Sequence, residues 1–347
     1  MKTSFISTLS LSQTLRHQLM RMQADLSRAQ EEMSTGRLAD PGVTLGARAA
    51  TSFSATRDIA RLENLAATNG LATARLDATQ DALEKLGRIS QDVLEALTAA
   101  SSGDTDTQVI RASARHALES MTSVLNSSLN GEYLFAGINT DEAPINDFTD
   151  PASPNKAQFD TLFASHFGFP QTDPAAANIT AAQMDAFLDV VEASFMGTGW
   201  TDAWSNASDQ KITTRITLNE TAETSATANE RGMRRLAMAT AALSDLLQIP
   251  LGDEAMQTLY ERSTTLVGGA VADLARTQSE VGLVQGRIEE ANTRISSQRD
   301  LFNALVRDLE GVDTYEAATR VNELLTQIET AYALTGRIRQ LSLVNYL

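Results

Sequence analysis

Cysteine is absent from all 347 residues, which excludes disulfide scaffolds, thiolate metal sites and cysteine nucleophiles together. Proline is scarce and confined. Of seven, five fall between Pro144 and Pro174, and only Pro41 and Pro250 lie elsewhere, so both ends of the chain are free to form long helices. Aromatic residues make up 5% of the chain, and 11 of the 18 lie between Tyr133 and Trp204. Bases are outnumbered, 28 against 44 acids, for a formal charge of -16. A general nucleic-acid binder needs Lys and Arg to displace counterions, and an anionic membrane surface repels such a chain, so neither partner is expected. No apolar run approaches the roughly 18 residues of a membrane span, so no membrane insertion is expected either. The opening MKTSFISTLSLSQTLRHQLM dilutes its apolar residues with Ser, Thr and Gln and offers no small-residue cleavage site. A cleaved secretion signal is therefore not expected.

What is present is unevenly distributed. From Asn139 to Glu230, 14 acids stand against Lys156, Lys211 and Arg215. The first 24 residues hold Lys2, Arg16 and Arg21 with no acid, and the last 17 hold Arg337 and Arg339 with none. The termini are mildly basic and the middle is acidic. The length allows two or three domains and a sizeable core.

The N-terminal segment predicts a helix with an apolar stripe through Phe5, Leu9, Ser12, Leu15, Leu19, Met22, Leu26, Ala29 and Met33, in steps of three and four that keep one face together. Gly36 and the ADPG around Pro41 break it. The C-terminal segment repeats the idea. Asp313 caps a helix with Glu316 at the third position, and Val321, Leu324, Ile328, Ala331, Thr335 and Ile338 form a stripe that Leu325, Tyr332, Leu334 and Leu341 widen. Between these ends, Ala47–Ala100 is helical. Thr105 and Gln108 have capping-box spacing for a second helix ending at Asn130-Gly131. Ser225–Leu247 and Asp253–Glu310 read as helices too, and Gly268, Gly269, Gly282 and Gly286 in the latter mark close packing or a local break.

The middle differs in kind. KITTRITL alternates as a half-buried strand with Ile212, Ile216 and Leu218 on one face. Thr180 and Gln183 cap a short helix whose apolar face is Met184, Phe187, Leu188, Val191 and Phe195. Residues 139–220 thus read as a small mixed α/β domain inserted between helices. Chemistry is hard to find. His17, His116 and His166 are far apart, no phosphate loop, nucleophile elbow or dinucleotide fingerprint occurs, and abundant carboxylates supply pairs by chance. No catalytic, cofactor or metal site is expected, and the chain reads as a non-enzyme.

Three runs carry a resemblance. QADLSRAQEEMSTGRLADPG, SEVGLVQGRIEEAN and TRVNELLTQIETAYALTGRIRQLSLVNYL resemble the terminal helices of the flagellin family. The run Gly131, Tyr133, Phe135, Gly137 in NGEYLFAGI, read as a strand with Tyr133 and Phe135 on one face, is similar to the flagellin-like hook-associated proteins of the hook-filament junction. The ending SLVNYL points the same way.

The resemblance implies a mainly α fold, a flagellin-like rod of long antiparallel helices from both chain ends. Terminal helices (1–46 and 313–347) would form an inner tube domain, 47–138 and 221–312 a helical rod with a β-hairpin edge, and 139–220 an outer variable domain. It further implies a structural, extracellular subunit of the bacterial flagellum joining hook to filament and exported by the flagellar type III apparatus. That subunit would self-assemble into a ring beside a neighbouring hook-associated protein and flagellin, with an export chaperone on its C-terminal segment. A filament flagellin is the alternative, and a secreted helical adhesin or coiled-coil spacer a distant one. The physics of the ends agrees with an assembling subunit. Two helices alone leave part of each stripe wet, each exposed Leu or Met forgoing roughly 1.5 to 3 kcal/mol of burial.

Overall fold

The computed structural model describes residues 8–101 and 106–344, and the side chains it describes are those of 13–100 and 106–337. The described residues are mainly helical, at 76%. In order it forms α1 (Thr8–Thr35), a short α2 (Pro41–Leu45), α3 (Ala49–Ser101), α4 (Thr107–Leu125), the strand pair β1 (Ser128–Leu129) and β2 (Glu132–Tyr133), α5 (Pro154–Phe167) and α6 (Ala181–Met196). A second strand pair, β3 (Thr213–Arg215) and β4 (Thr221–Glu223), precedes α7 (Arg231–Leu246), α8 (Asp253–Glu310) and α9 (Thr314–Val344). Contacts divide the chain into two units, Met1–Asn64 with Arg294–Leu347, and Leu65–Thr293.

Local chemistry sets the helix ends. Thr180 and Gln183 form a reciprocal capping box at the start of α6, whose buried face is Met184, Phe187, Leu188, Val191 and Phe195 as the spacing predicts. The cap of α4 is Asp106, which accepts a hydrogen bond from the Gln108 amide at 2.9 Å, while Thr105 lies outside the described residues. The helix also ends earlier than expected, at Leu125. Asn130 and Gly131 have φ of 54° and 86° and form the turn of the β1–β2 hairpin rather than a helix terminus. Two consecutive left-handed residues are what a two-residue hairpin turn requires, and Asn-Gly supplies them at least cost. Helix α7 starts at Arg231 because Ser225–Asn229 is a buried non-helical segment, closed by a turn and bonded to its neighbours, as in the Ile212 amide donating to Ser225 Oγ at 2.8 Å. The α8 bounds match expectation and the helix has no break. Of its four glycines only Gly269 is crowded, by the Arg235 guanidinium.

In the unit Leu65–Thr293, α3 and α8 are stitched by polar side chains. Asn69 Nδ2 donates to Asn292 Oδ1 at 2.7 Å, Gln80 Nε2 to the Gln278 carbonyl at 2.8 Å, and Gln285 Nε2 to Asp77 Oδ1 at 2.6 Å. Gly232 of α7 lets that helix approach Ala270 and Leu274 of α8 more closely than a side chain would permit. One hydrophobic cluster runs from Ala72 to Ala291 and includes the aromatics of residues 135–204. At its heart Trp200 and Trp204 stack 5.7 Å apart, with Phe195 and Phe148 against Trp204. The core of residues 139–220 is thus continuous with α4 and α7. The alternating segment is a strand only over Thr213–Arg215. Ile216 alone of the three predicted apolar residues is fully buried.

Candidate assembly interface

The unit of the chain ends is built around a helix pair. Helix α1 runs into Gly36, whose φ of 66° and amide bond to the Glu32 carbonyl (2.9 Å) terminate it. Asp40 then caps α2, accepting from the Val43 amide at 3.1 Å. Asp313 caps α9 as predicted, accepting from the Tyr315 amide at 2.8 Å. Helices α1 and α9 pack along each other, antiparallel, with Gln23 Nε2 donating to Tyr332 Oη at 3.0 Å and Arg320 Nη1 to Glu32 Oε2 at 3.1 Å.

The predicted stripes lie on this pair unequally. Val321 and Ile328 are buried, together with Ala29 and Ala317. Leu15, Leu19, Met22, Leu26 and Leu324 are half-buried. Met33 (39% exposed), Leu325 (40%) and Tyr332 (54%) remain open to solvent, as do Met20 (50%) and Leu334 (50%). Phe5 lies outside the described residues. Leu9 falls in α1, and Ile338 and Leu341 in α9, but their side chains are outside the described set. A seam thus exists, and among the described residues its buried positions lie toward the end where α1 finishes and α9 begins.

A latch near the seam was not legible in advance. The turn after α1 and the turn before α9 form a short antiparallel bridge, Arg37 opposite Gly311, with the Leu38 amide on the Glu310 carbonyl (2.8 Å) and the Val312 amide on the Gly36 carbonyl (3.0 Å). Two buried carboxylates reinforce it. Glu32 holds Arg320, and Glu310 accepts from the buried Ser52 hydroxyl. A carboxylate left bare in such a place would be costly, so these partners fix the geometry. The one available signal was Glu32 itself, a charge three residues after Ala29 on the apolar stripe.

The signature run of the other unit is an anchor rather than a continuous strand. Only Glu132–Tyr133 pairs as strand, and Leu134, Phe135 and Ala136 are all buried, whereas alternate faces were expected. Past Leu134, whose amide still donates to the Ser127 carbonyl at 3.0 Å, the backbone turns to other partners. Ala228 donates to the Phe135 carbonyl at 2.8 Å and Ser208 to that of Ala136 at 3.0 Å. Gly131 serves the hairpin turn. Gly137, at φ 63°, passes so close that an added Cβ would stand 2.4 Å from the Ser208 carbonyl oxygen. Arg75 of α3 pairs with Glu132 and so ties the hairpin to its helix.

The N-terminal helical region of bacterial flagellin matches residues 6–140, and the C-terminal helical region of bacterial flagellin matches residues 264–347. Together these span well over half of the chain, which belongs to the flagellin family. This is a family of structural components of the extracellular flagellum, which assemble with themselves and with neighbouring flagellar proteins. Comparison with curated proteins finds no match. Among solved structures, one described as a flagellar hook-associated protein from Vibrio parahaemolyticus is similar in fold at 10% identity, with TM-score 0.52 over 76% of this chain and 97% of that one. Bacillus cereus FlgL is similar at 12% identity, with TM-score 0.49 over 73% of this chain and 99% of that one.

Proposed function

We propose that the chain is a structural subunit of the hook-filament junction, without enzymatic activity. The observation that carries this reading is the run Gly131–Gly137, whose sequence resembles the junction proteins and whose two glycines each meet a backbone demand, one a hairpin turn and the other a close approach. The fold shared with the structure described as a flagellar hook-associated protein supports it. In this reading the terminal helices line the inner tube of a ring of copies between a second hook-associated protein and flagellin. The chain reaches that place through the flagellar export apparatus, with a chaperone on its C-terminal segment until release. Apolar side chains left open on the α1–α9 seam are what neighbouring copies would cover. Cells lacking the gene should carry hooks without filaments and shed unpolymerised filament subunit into the medium, and gold-labelled antibody should mark one narrow band at the end of the hook. Label along the whole filament would make the chain a filament flagellin instead. Normal filaments on the deletion strain would overturn both.

A further inference from the structure

With no cysteine in the chain, methionine supplies all of its sulfur. Of the ten methionines, Met121, Met184, Met233 and Met238 are wholly enclosed in the unit Leu65–Thr293, and Met196 and Met256 of the same unit are half-buried. Three more stand on α1. Met20 and Met33 are exposed there and Met22 is half-buried. Among the described residues, every exposed methionine therefore belongs to one helix of the unit of the chain ends. Helix formation does not ask for sulfur at such positions, since Leu, Gln, Glu and Lys serve an exposed helix site as well. The buried Ala29 marks the side of α1 that is covered within the chain. At 3.6 residues per turn, Met22 and Met33, seven before and four after it, share that side, and Met20, nine before it, lies on the far side.

This partition has a chemical result, because peroxides oxidise the thioethers they can reach. The sulfur lone pair attacks one oxygen of hydrogen peroxide, the O–O bond breaks and a sulfur–oxygen bond forms. The proton of the attacked oxygen leaves with the departing hydroxide as water, and two electrons pass from sulfur to peroxide. A flexible apolar side chain becomes a polar one carrying a strong acceptor. We propose that Met20 and Met33 are oxidation sites, at which hydrogen peroxide disables the free subunit for assembly while its enclosed core stays intact. A sulfoxide oxygen is costly to bury without a donor, so it opposes any neighbour that covers these side chains. The effect on assembly rests on reading the chain as a self-assembling flagellar subunit, and the sites themselves do not.

The sites are tested on the purified full-length chain, treated with hydrogen peroxide and followed by mass spectrometry of its peptides. Met20 should gain one oxygen first, Met33 next and Met22 after them, with Met121, Met184, Met233 and Met238 unmodified for as long as tryptophan fluorescence reports a folded core. Oxidation of those four at the rate of Met20 would overturn the assignment. The effect on assembly is tested in bacteria that carry only a variant gene. Met20→Gln with Met33→Gln, close to the sulfoxide in length and polarity, is compared with Met20→Leu with Met33→Leu. The glutamine strain should have roughly tenfold fewer cells bearing filaments than the leucine strain, and the two purified proteins should melt alike. Equal filament numbers in the two strains would overturn the block on assembly. So would a lower melting temperature in the glutamine variant, which would assign the loss to folding. A deletion strain with normal filaments would remove the junction reading and leave the order of oxidation standing, so the two failures are distinguishable.

Discussion

The two units handle their apolar residues in opposite ways. In Leu65–Thr293, Trp200, Trp204 and the phenylalanines of α5 and α6 are wholly enclosed within one cluster, and polar side chains such as Asn69 and Gln80 tie the helices around it. In the unit of the chain ends, the seam buries small or β-branched residues, Ala29, Ala317, Val321 and Ile328, and leaves Met20, Leu325, Tyr332 and Leu334 open. The first unit can be stable as one chain. The second leaves large apolar side chains open to solvent. Both tryptophans lie in the first, so their fluorescence reports that unit alone, while far-ultraviolet circular dichroism reports the helices of both.

That contrast should break most sharply under a pair of matched lesions. Trp204→Ala removes a fully buried indole and should cost about 3 to 5 kcal/mol of the unfolding free energy followed by tryptophan fluorescence. Leu324→Asp with Ile328→Asp puts two unpaired charges on the seam. It should leave the fluorescence transition unchanged while helical signal and filament support are lost. A shift of the fluorescence midpoint in the seam variant would show that the units do not melt separately.

A smaller loss is expected at Gly137. Gly137→Ala forces a side chain into the Ser208 carbonyl at a left-handed backbone position, and should lower the fluorescence-detected stability by about 2 to 3 kcal/mol. Gly131→Ala meets open space and bears only the left-handed penalty, about 1 kcal/mol. Equal effects at the two glycines would refute the assignment of one to close approach and the other to turn conformation.

The smallest effect is a pH dependence within the first unit. Burial lifts the Asp245 carboxyl above its ordinary value of 3.8, against the pull of Lys156 and of the Gln171 hydrogen bond, with Asp160 adding to the rise. A carboxyl raised in this way holds its proton more tightly folded than unfolded. Its contribution to stability is full below the ordinary value and is lost as pH rises through the raised one. Asp245→Asn cannot titrate. The stability of the wild type relative to this variant should therefore fall as pH is raised from strongly acidic toward neutral, measured by denaturant unfolding at each pH. A difference independent of pH would show that the buried carboxyl does not titrate there.

Much of the helical frame was legible because its determinants are local. The Thr180–Gln183 box, the Asp313 cap, the α8 bounds and the apolar face of α6 follow from spacing within a few residues. Errors arose where two local signals compete. Asn-Gly serves a helix end or a hairpin turn equally well in sequence, and only the partner strand at Ser128–Leu129 decides. Asp106 and Thr105 are adjacent capping residues, and the described structure uses Asp106. The strand in KITTRITL was cut short because its ladder has one short partner, Thr221–Glu223. The latch was beyond reach for a different reason, since Ser52 with Glu310 and Glu32 with Arg320 are pairings across nearly the whole chain.

That last separation has a consequence in time. Glu32 and Arg320 stand 288 positions apart, and bringing such distant points together costs about 5 kcal/mol of loop-closure entropy, on the (3/2)RT ln n scaling. Every residue of Leu65–Thr293 precedes α9, so the enclosed core can form while α9 is still being synthesised. A chain broken off before Thr314 would have a sound core and no seam. The latch thus closes only when the chain is complete through Arg320, and the α1–α9 pair reports that completeness.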